Sequence, residues 1–418
     1  RLRFWTNPET ELDWAKKLGT QVYRLGVDWQ RVAPQEGEYD SEALKRYGQI
    51  LDMVKSRQMK VMLTLFHHSE PKWTLDAESW TNKKMIQQFV EFSKKIIDQY
   101  ADKIDYLITF NEAQLYILLT QMDDFWPTKT KPHPLGLIDL GPIKGRFNKC
   151  LRNMALAHKA VYAYVKAKYP QIQVGIAHNA AHYQGENLIA KISAQYSYKR
   201  FNYLFPDMII NELDYLGVNY YGTEFIKGLG VHISPNQEYS ESGRAISPTG
   251  FYEVLTRLHD RYNKKKKKRK NKKKAQKIPF IITENGIADS TDWYRPVYLM
   301  EHLKALKMAI NRGVDIHGYI FWTLSDNWEW ADGYCPKFGL LAVDRDNDLK
   351  RIPRPSFYTY QKIIKRRGFT QKSLDQYWNK LTSKRGQDRP FCRSLNGKDA
   401  LDDPQMIPVK ASDWRIKY

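Results

Sequence analysis

The sequence predicts an α/β fold, a (β/α)8 TIM barrel, from two observations. Apolar, β-branched runs alternate with helical patterns along the 418 residues, and continuous apolar runs are typical of parallel strands that are buried on both faces. Two of these runs end in a glutamate, in TFNE at residues 109–112 and in IITENG at residues 281–286. Because the strand carboxyl ends line the active site of such a barrel, Glu112 and Glu284 are the first candidate catalytic residues.

Strand-like and helical segments recur in the order expected of parallel βα units. The predicted strands are residues 21–29, 60–68, 106–112, 172–179, 215–222, 279–286 and 318–325. The predicted helices are residues 41–57, 83–100, 145–168, 250–262 and 295–312. Since a closed barrel needs an eighth strand, we expect the first strand to precede Arg1 and to be missing from this chain. We also expect one barrel domain over residues 1–367 and a C-terminal extension over residues 368–418.

Polar and aromatic side chains stand at most of the predicted strand ends. They are Arg24, His67, His68, His178, Asn179, residues 219–221 and Trp322. A single histidine at a strand end is more often a hydrogen-bonded structural residue than a catalytic one. Their concurrence at one end of a barrel indicates a functional site.

The chain is strongly basic, with a net charge of +21. Residues 264–274 hold ten lysines and arginines in eleven positions. Such a run is most often a solvated loop, and the alternative is attraction to an anionic lipid surface. The sequence lacks a nucleic-acid recognition motif, so we expect no nucleic-acid partner. Its apolar runs are also far shorter than the ~20 residues needed to cross a bilayer.

Metal and disulfide chemistry are not indicated by the cysteines. Cys150, Cys335 and Cys392 lack the spacing of metal ligands, and an odd, sparse set argues against a disulfide framework. We therefore expect a reducing compartment or a cytosolic face. A phosphate-binding glycine loop and a serine-histidine motif are also missing from the sequence.

Two carboxyl groups match the needs of glycosidic-bond cleavage. One protonates the leaving oxygen and the other acts on the opposite side of the anomeric carbon, either directly at a separation of ~5 to 5.5 Å or through water at ~6.5 to 9.5 Å. We assign Glu112 as acid/base, because Asn111 beside it can hydrogen-bond a sugar. We assign Glu284 as nucleophile, because Arg24 and Tyr221 could keep it ionised. The alternative is that each glutamate caps a helix or joins a surface ion pair.

The segment FWTLSDNWEWADGY, residues 321–334, predicts a monosaccharide pocket. It places Trp322 and Trp330 near Glu329, and aromatic faces pack on sugars while carboxylates bind hydroxyl groups. Trp328 in the same segment is expected to pack in the core.

With TFNE, ITENG and DNWEWADGY, the chain resembles glycoside hydrolase family 1, the β-glucosidase family, from Arg1 to about Arg367. The resemblance implies no required cofactor or metal and leaves stimulation by a divalent cation open. A family glutamine on the first strand has no counterpart here. The residues that would contact the donor sugar are His67, Asn111, Trp322, Glu329 and Trp330, and those that would orient Glu284 are Arg24 and Tyr221.

Other segments depart from the ordinary family pattern. HHSEP at residues 67–71 replaces HWDLP, Ala113 replaces a proline, and EYSESGR at residues 238–244 is an insertion. Together with SDWRIKY at the C-terminal end, they resemble the plant and algal galactolipid:galactolipid galactosyltransferases of the family. This branch implies an enzyme of the plastid (chloroplast) outer envelope membrane that moves a β-galactosyl group from monogalactosyldiacylglycerol to another galactolipid and releases diacylglycerol.

Two other functions stay open from the sequence. The first is an ordinary retaining β-glucosidase or β-galactosidase, because hydrolase and transferase share every catalytic group and differ in acceptor affinity and water exclusion. The second is a sugar- or lipid-binding protein without activity, which any barrel scaffold allows. The expected partners are a galactolipid substrate and a membrane surface, and the oligomeric state is not indicated.

Overall fold

The computed structural model describes residues 2–122, 145–228, 230–264, 277–394 and 399–416. Apart from Lys264, the basic run at residues 264–274 lies outside the described residues. Within the described ranges, no helix has the length and apolar character needed to span a membrane.

Strands and helices alternate over most of the described chain. The strands are β1 Val22–Gly26, β2 Lys60–Phe66, β3 Ile104–Asn111, β4 Gln173–Asn179, β5 His182–Gly185, β6 Tyr215–Tyr220, β7 Thr223–Lys227, β8 Gly230–His232, β9 Phe280–Asn285, β10 Ile316–Phe321, β11 Leu341–Asp344, β12 Lys350–Pro353, β13 Asp388–Arg393 and β14 Ala400–Pro408. The helices are α1 Glu9–Leu18, α2 Trp29–Val32, α3 Ser41–Ser56, α4 Lys72–Asp76, α5 Lys84–Tyr100, α6 Ala113–Ile117, α7 Arg146–Lys168, α8 Leu188–Ser197, α9 Leu204–Ile209, α10 Pro248–Tyr262, α11 Arg295–Asn311, α12 Pro355–Arg366 and α13 Gln371–Thr382. Each of the seven predicted strands overlaps one of β1, β2, β3, β4, β6, β9 and β10.

The first compact unit comprises residues 20–179 and 201–218. Its strands β1 to β4 pair in parallel, with Leu25 opposite Leu63 and Leu63 opposite Leu107. These leucines are buried, which explains the uninterrupted apolar runs in the sequence. On the helical side, the Trp29 ring stacks on Phe92 of α5 with ring centroids 4.9 Å apart.

The second compact unit comprises residues 1–19, 180–200 and 219–418. It contains the parallel pair β9 and β10, the three-stranded sheet β5-β7-β8 and the antiparallel pairs β11-β12 and β13-β14. One of its cores packs Tyr298 of α11 with Trp378 and Trp414. Residues on both sides of position 367 share this core, and the domain boundary expected there stays a prediction.

The expectation that the cysteines form no disulfide is wrong for one pair. Cys335 and Cys392 form a disulfide with Cα atoms 5.9 Å apart, and the third cysteine, Cys150, is buried and takes no part in a disulfide. The two partners lie 57 residues apart in sequence. Strand β13 brings Cys392 to Cys335, and no local spacing in the sequence encodes that tertiary contact. The argument for a reducing compartment therefore loses its basis.

Replacing Cys392 with serine is expected to lower the free energy of unfolding by about 2 to 5 kcal/mol, because the cross-link restricts the unfolded chain. Guanidinium unfolding with and without dithiothreitol measures the loss. Reductant should lower the stability of the wild type to that of the variant and leave the variant unchanged. Cys335→Ser and the double variant should match Cys392→Ser. A wild type that does not respond to reductant would contradict the disulfide.

Candidate active site

Glu112 stands at the carboxyl end of β3 in a strained backbone conformation. Its φ and ψ angles are 49° and 47°, in the left-handed region that residues other than glycine seldom adopt and that is enriched at functional sites. The backbone N–H donates to Ala177 O at 2.7 Å. Asn179 Nδ2 at the end of β4 donates to Glu112 Oε1 at 3.1 Å. The ends of two neighbouring strands thus fix a carboxyl group that is 6% exposed.

Asn111, one residue earlier, is held from two directions. Arg24 Nη2 donates to Asn111 Oδ1 at 2.7 Å, and His68 Nε2 donates to the Asn111 carbonyl at 3.1 Å. The structure therefore places Arg24 beside the predicted sugar-binding Asn111. The predicted action of Arg24 on Glu284 stays a prediction.

His67 and His68 follow β2 and are neutral near pH 7. Burial, with His68 and Arg24 nearby, lowers the pKa of His67 well below its usual 6.5. Burial also lowers the pKa of His68 to about 3, against the opposing effect of its hydrogen bond to Asn111. A neutral imidazole can exchange hydrogen bonds with a sugar hydroxyl without adding charge to the site.

Glu70 in HHSEP is a partly buried carboxyl group that the sequence analysis did not identify. It accepts hydrogen bonds from Thr74 Oγ1 at 2.9 Å and from Ser79 Oγ at 2.8 Å, and a third from the Tyr116 hydroxyl. Burial raises its pKa above 4.5. The Tyr116 ring in turn stacks on His68. The only sequence signal was that Glu70 occupies the leucine position of the family pattern HWDLP.

In the second unit, Glu284 near the end of β9 is 4% exposed and accepts a hydrogen bond from the Tyr221 hydroxyl. This is the contact expected of a residue that orients Glu284. The next residue, Asn285, accepts from Tyr319 Oη at 2.7 Å and donates to Tyr298 Oη at 2.9 Å. The position of the carboxylate at the strand end is therefore supported by a buried network.

Gly286 is required by the close approach of a second strand end. A Cβ atom at this position would lie 1.8 Å from the carbonyl oxygen of Trp322, just after β10. The Trp322 N–H also donates to Asn285 O at 2.9 Å. The glycine of ITENG thus lets the predicted sugar-binding segment begin directly beside the strand that carries Glu284.

The predicted sugar-binding segment, residues 321–334, places the Glu329 carboxyl group and three tryptophans in the same unit. The pKa of Glu329 is raised to about 8 by burial and by the charge of Glu284, against a hydrogen bond from Trp322. Its Oε1 atom is buried and has no hydrogen-bond partner among the described residues. Trp330 is 37% exposed. Trp328 is 56% exposed and packs edge-on against Tyr334, so the expectation that it packs in the core is wrong.

The raised pKa of Glu329 predicts that the free energy of unfolding decreases as the pH rises, and that Glu329→Gln should remove this decrease. Between the usual 4.5 and about 8, the folded protein keeps a proton that the unfolded chain has lost, so stability falls as pH rises. The unfolding free energy of the wild type should therefore fall relative to the variant, by at most ~1.4 kcal/mol per pH unit. Urea unfolding at pH 5.5, 6.5 and 7.5 measures this difference, and parallel profiles would contradict it.

The segment with Glu329 is tied to the C-terminal hairpin β13-β14. Besides the disulfide, Arg393 Nη2 donates to Asp332 Oδ2 at 2.6 Å. Arg393 Nε also donates to Ser242 O at 3.3 Å, in the insertion EYSESGR. The insertion and the C-terminal extension predicted over residues 368–418 thus meet at the predicted sugar-binding segment. The sequence analysis identified both features but had no signal for their contact.

Metal binding has no candidate in the ranges that the structure describes, where no group of three or more histidine, cysteine, aspartate or glutamate side chains could hold an ion.

The predicted site residues lie in two groups, one in each compact unit. Arg24, His67, Asn111 and Glu112 are in the first, and Tyr221, Glu284, Trp322, Glu329 and Trp330 are in the second.

Comparison with known proteins identifies the family. Residues 3–209 and 186–369 match the family model of glycosyl hydrolase family 1. The chain belongs to glycosyl hydrolase family 1. The predicted resemblance to this family is therefore confirmed. The prediction that the chain is an enzyme of the glycosidase type is confirmed as well.

Two plant relatives match this family 1 chain over its whole length. One is the galactolipid galactosyltransferase SFR2, chloroplastic, of Arabidopsis thaliana, which is 41% identical over 435 aligned residues. The other is the beta-glucosidase-like SFR2, chloroplastic, of Oryza sativa subsp. japonica, which is 39% identical. The chain spans 68% and 65% of their respective lengths.

Solved structures confirm the predicted TIM barrel. Fpglu1 of a Fervidobacterium species superposes with a TM-score of 0.77 at 25% identity, covering 90% of this family 1 chain and 87% of that chain. A beta-glucosidase of Thermotoga maritima in complex with deoxynojirimycin has a TM-score of 0.76 at 22% identity, with 88% of each chain covered. The second likeness shows the fold alone.

Proposed function

We propose that the chain catalyses retaining β-galactosyl transfer from monogalactosyldiacylglycerol to another galactolipid, producing di- and oligogalactolipids and diacylglycerol. The observation that carries the proposal is the 41% identity, over the whole chain, to a protein named as a galactolipid galactosyltransferase. The match spans the whole chain, including the insertion and the C-terminal residues that contact the predicted sugar-binding segment. A likeness to ordinary hydrolases of the family would explain the barrel but not the insertion and the C-terminal residues.

The reaction needs two carboxyl groups in sequence. Glu284 attacks the anomeric carbon of the donor, while Glu112 gives its proton to the glycosidic oxygen, so that the bond to diacylglycerol breaks and diacylglycerol leaves. Glu112, now a carboxylate, takes the proton of an acceptor galactose hydroxyl. That oxygen attacks the same carbon and Glu284 leaves, and the two inversions together give a β-linkage.

The contacts within each unit support these roles. The Tyr221 hydroxyl stabilises the charge of Glu284, and Asn179 orients Glu112. With a pKa of about 8, Glu329 is mostly protonated near neutral pH. It can then donate a hydrogen bond to the donor sugar and does not add a second negative charge beside the nucleophile.

Hydrolysis is the second candidate, because family membership itself implies it and the rice relative carries the name beta-glucosidase-like. Water would then replace the acceptor hydroxyl in the second step. Both plant relatives are named chloroplastic, and we propose a plastid location, at the outer envelope, for this chain as well.

The test is lipid analysis after incubation with vesicles that contain monogalactosyldiacylglycerol carrying radiolabelled galactose. We expect labelled di- and trigalactosyl lipids together with diacylglycerol. Free galactose without longer lipids would favour the hydrolase. An absence of turnover with both this lipid and a nitrophenyl β-galactoside would favour a sugar-binding protein.

A further inference from the structure

An exposed apolar surface, which we call the α8 patch, lies in the second unit. It consists of four residues of α8 and one of β8, namely Leu188, Ile189, Ile192, Tyr196 and Val231. Their exposed fractions are 75%, 64%, 65%, 50% and 54% respectively. Single exposed apolar residues need no explanation, whereas a group of this kind marks an interaction surface.

Helix α8 packs with its small side chains inward and its large apolar side chains outward. Ala190 and Ala194 are buried against Ile226 of β7. A Cβ atom on Gly185 of β5 would lie 2.2 Å from the Ala190 carbonyl carbon, so the helix lies almost in backbone contact with that strand. Because the inner face admits only alanines, the larger apolar residues face outward.

The outward apolar residues occupy one side of the helix. At ~100° per residue, positions 188, 189, 192 and 196 fall within an arc of about 100°. Lys191 is exposed beside this arc, Lys199 is exposed just after the end of α8, and Lys227 is exposed at the end of β7. An exposed acidic residue next to the helix, Glu186, pairs with His232. Ser193 Oγ donates to Gly228 O at 3.1 Å, which fixes α8 beside the turn that leads to Val231.

The position of the patch relates it to the proposed chemistry. Strand β7 begins two residues after Tyr221, which donates to Glu284. It pairs with β5, where His182 Nδ1 lies 3.0 Å from Thr223 Oγ1. The chain thus passes from the carboxyl end of β6 directly into the sheet beneath α8, and in TIM barrels the active site is built at that end of the strands.

We propose that the α8 patch is a bilayer-docking surface, which places Leu188, Ile189, Ile192 and Val231 in the acyl boundary of a membrane and its lysines at anionic headgroups. An apolar arc bordered by lysines fits a lipid interface. The surrounding lysines favour an anionic bilayer over a second copy of this basic chain. The choice of a bilayer also rests on the proposed lipid substrate.

Co-sedimentation with vesicles of phosphatidylcholine, monogalactosyldiacylglycerol and phosphatidylglycerol tests the proposal. Ile189→Ser/Ile192→Ser should weaken vesicle binding ~10-fold or more, and Ile189→Leu/Ile192→Leu should keep it. The matched control is Ile352→Ser/Met406→Ser, which alters two exposed apolar residues outside the patch and should bind like the wild type. Circular dichroism confirms that each variant is folded.

Equal vesicle binding by the serine variant and the wild type would overturn the proposal. So would self-association of the wild type, measured by sedimentation without vesicles, if the serine variant abolished it and vesicle binding stayed unchanged. Vesicle binding requires no turnover. A failed lipid-product assay with intact, patch-dependent binding would therefore overturn the proposed function and leave the docking surface standing.

A labelled variant gives a second readout that does not depend on loss of binding. Because Cys150 is buried and the other two cysteines are paired, an exposed cysteine introduced by Ile192→Cys can be labelled selectively with a polarity-sensitive dye. Vesicles should shift the dye emission to the blue, and Ile352→Cys should show no shift. An unchanged emission at position 192 would overturn the proposal.

Discussion

Glu284→Gln is expected to reduce turnover of both galactolipid and aryl β-galactoside donors by at least about 10⁴-fold, because the amide cannot form the glycosyl-enzyme. The change keeps the size of a side chain that is 4% exposed, so the fold should persist. Steady-state rates with each donor measure the loss. A 2-deoxy-2-fluoro galactoside should label the wild type at Glu284, and peptide mass spectrometry locates the label.

The matched control for this change is Glu301→Gln. Glu301 is a fully buried glutamate of the same unit that accepts from Trp378 Nε1 at 2.8 Å and from the Ile416 N–H at 3.2 Å. The glutamine carbonyl can keep one of these two bonds, and neither involves a predicted site residue. Its activity should stay near that of the wild type. Near-normal turnover by Glu284→Gln, or a fluorosugar label on another residue, would remove Glu284 from the role of nucleophile.

Glu112→Gln is expected to have an effect that depends on the leaving group. Diacylglycerol leaves as an alcohol and needs the proton of Glu112, so transfer from the galactolipid should slow by about 10² to 10⁴-fold. A nitrophenolate leaves without protonation, so formation of the glycosyl-enzyme from a nitrophenyl β-galactoside should be nearly unchanged. Its breakdown should then limit the rate, since the base that activates the acceptor is missing.

Pre-steady-state kinetics with the two donors distinguish these steps. The variant should show a burst of nitrophenol followed by slow turnover. Azide, which needs no base, should accelerate the slow phase and give β-galactosyl azide. An equal loss with both donors and no response to azide would show that Glu112 supports the structure of the site and does not transfer protons. Because each donor serves as the control for the other, the comparison does not depend on protein yield.

The barrel could be predicted because its physical cause is local in the sequence. Strands such as β2 are buried along nearly their whole length, so they appear as uninterrupted apolar runs, and a polar residue at a run's end marks the catalytic end. Glu112 and Glu284 were selected as candidate catalytic residues in this way. Their partners Asn179 and Tyr221 stand at other strand ends, where the same signal applies, although only Tyr221 was assigned a role in advance.

The features that sequence reasoning missed depend on tertiary contacts. Cys392, which pairs with Cys335, lies on a hairpin strand 57 residues later in the chain. Glu70 gains its hydrogen bond from Tyr116 only after α6 packs beside it. Helix α8 illustrates the same limit, since its leucine and isoleucines resemble a core-facing stripe. In the structure the Gly185 backbone lies so close to α8 that only the alanines fit on the inner side, and the large apolar residues face outward. The periodicity of the sequence does not encode this close contact.

The link between Cys335 and Cys392 also gives the protein an order of maturation during synthesis. At ~5 to 20 residues per second, a ribosome needs roughly 3 to 11 s to add the 57 residues that separate the two cysteines. Both glutamates, Glu112 and Glu284, have been translated before this interval begins. Until β13 emerges and an oxidant joins the thiols, the nascent chain carries both glutamates while the segment around Glu329 still lacks its covalent link to the C-terminal hairpin.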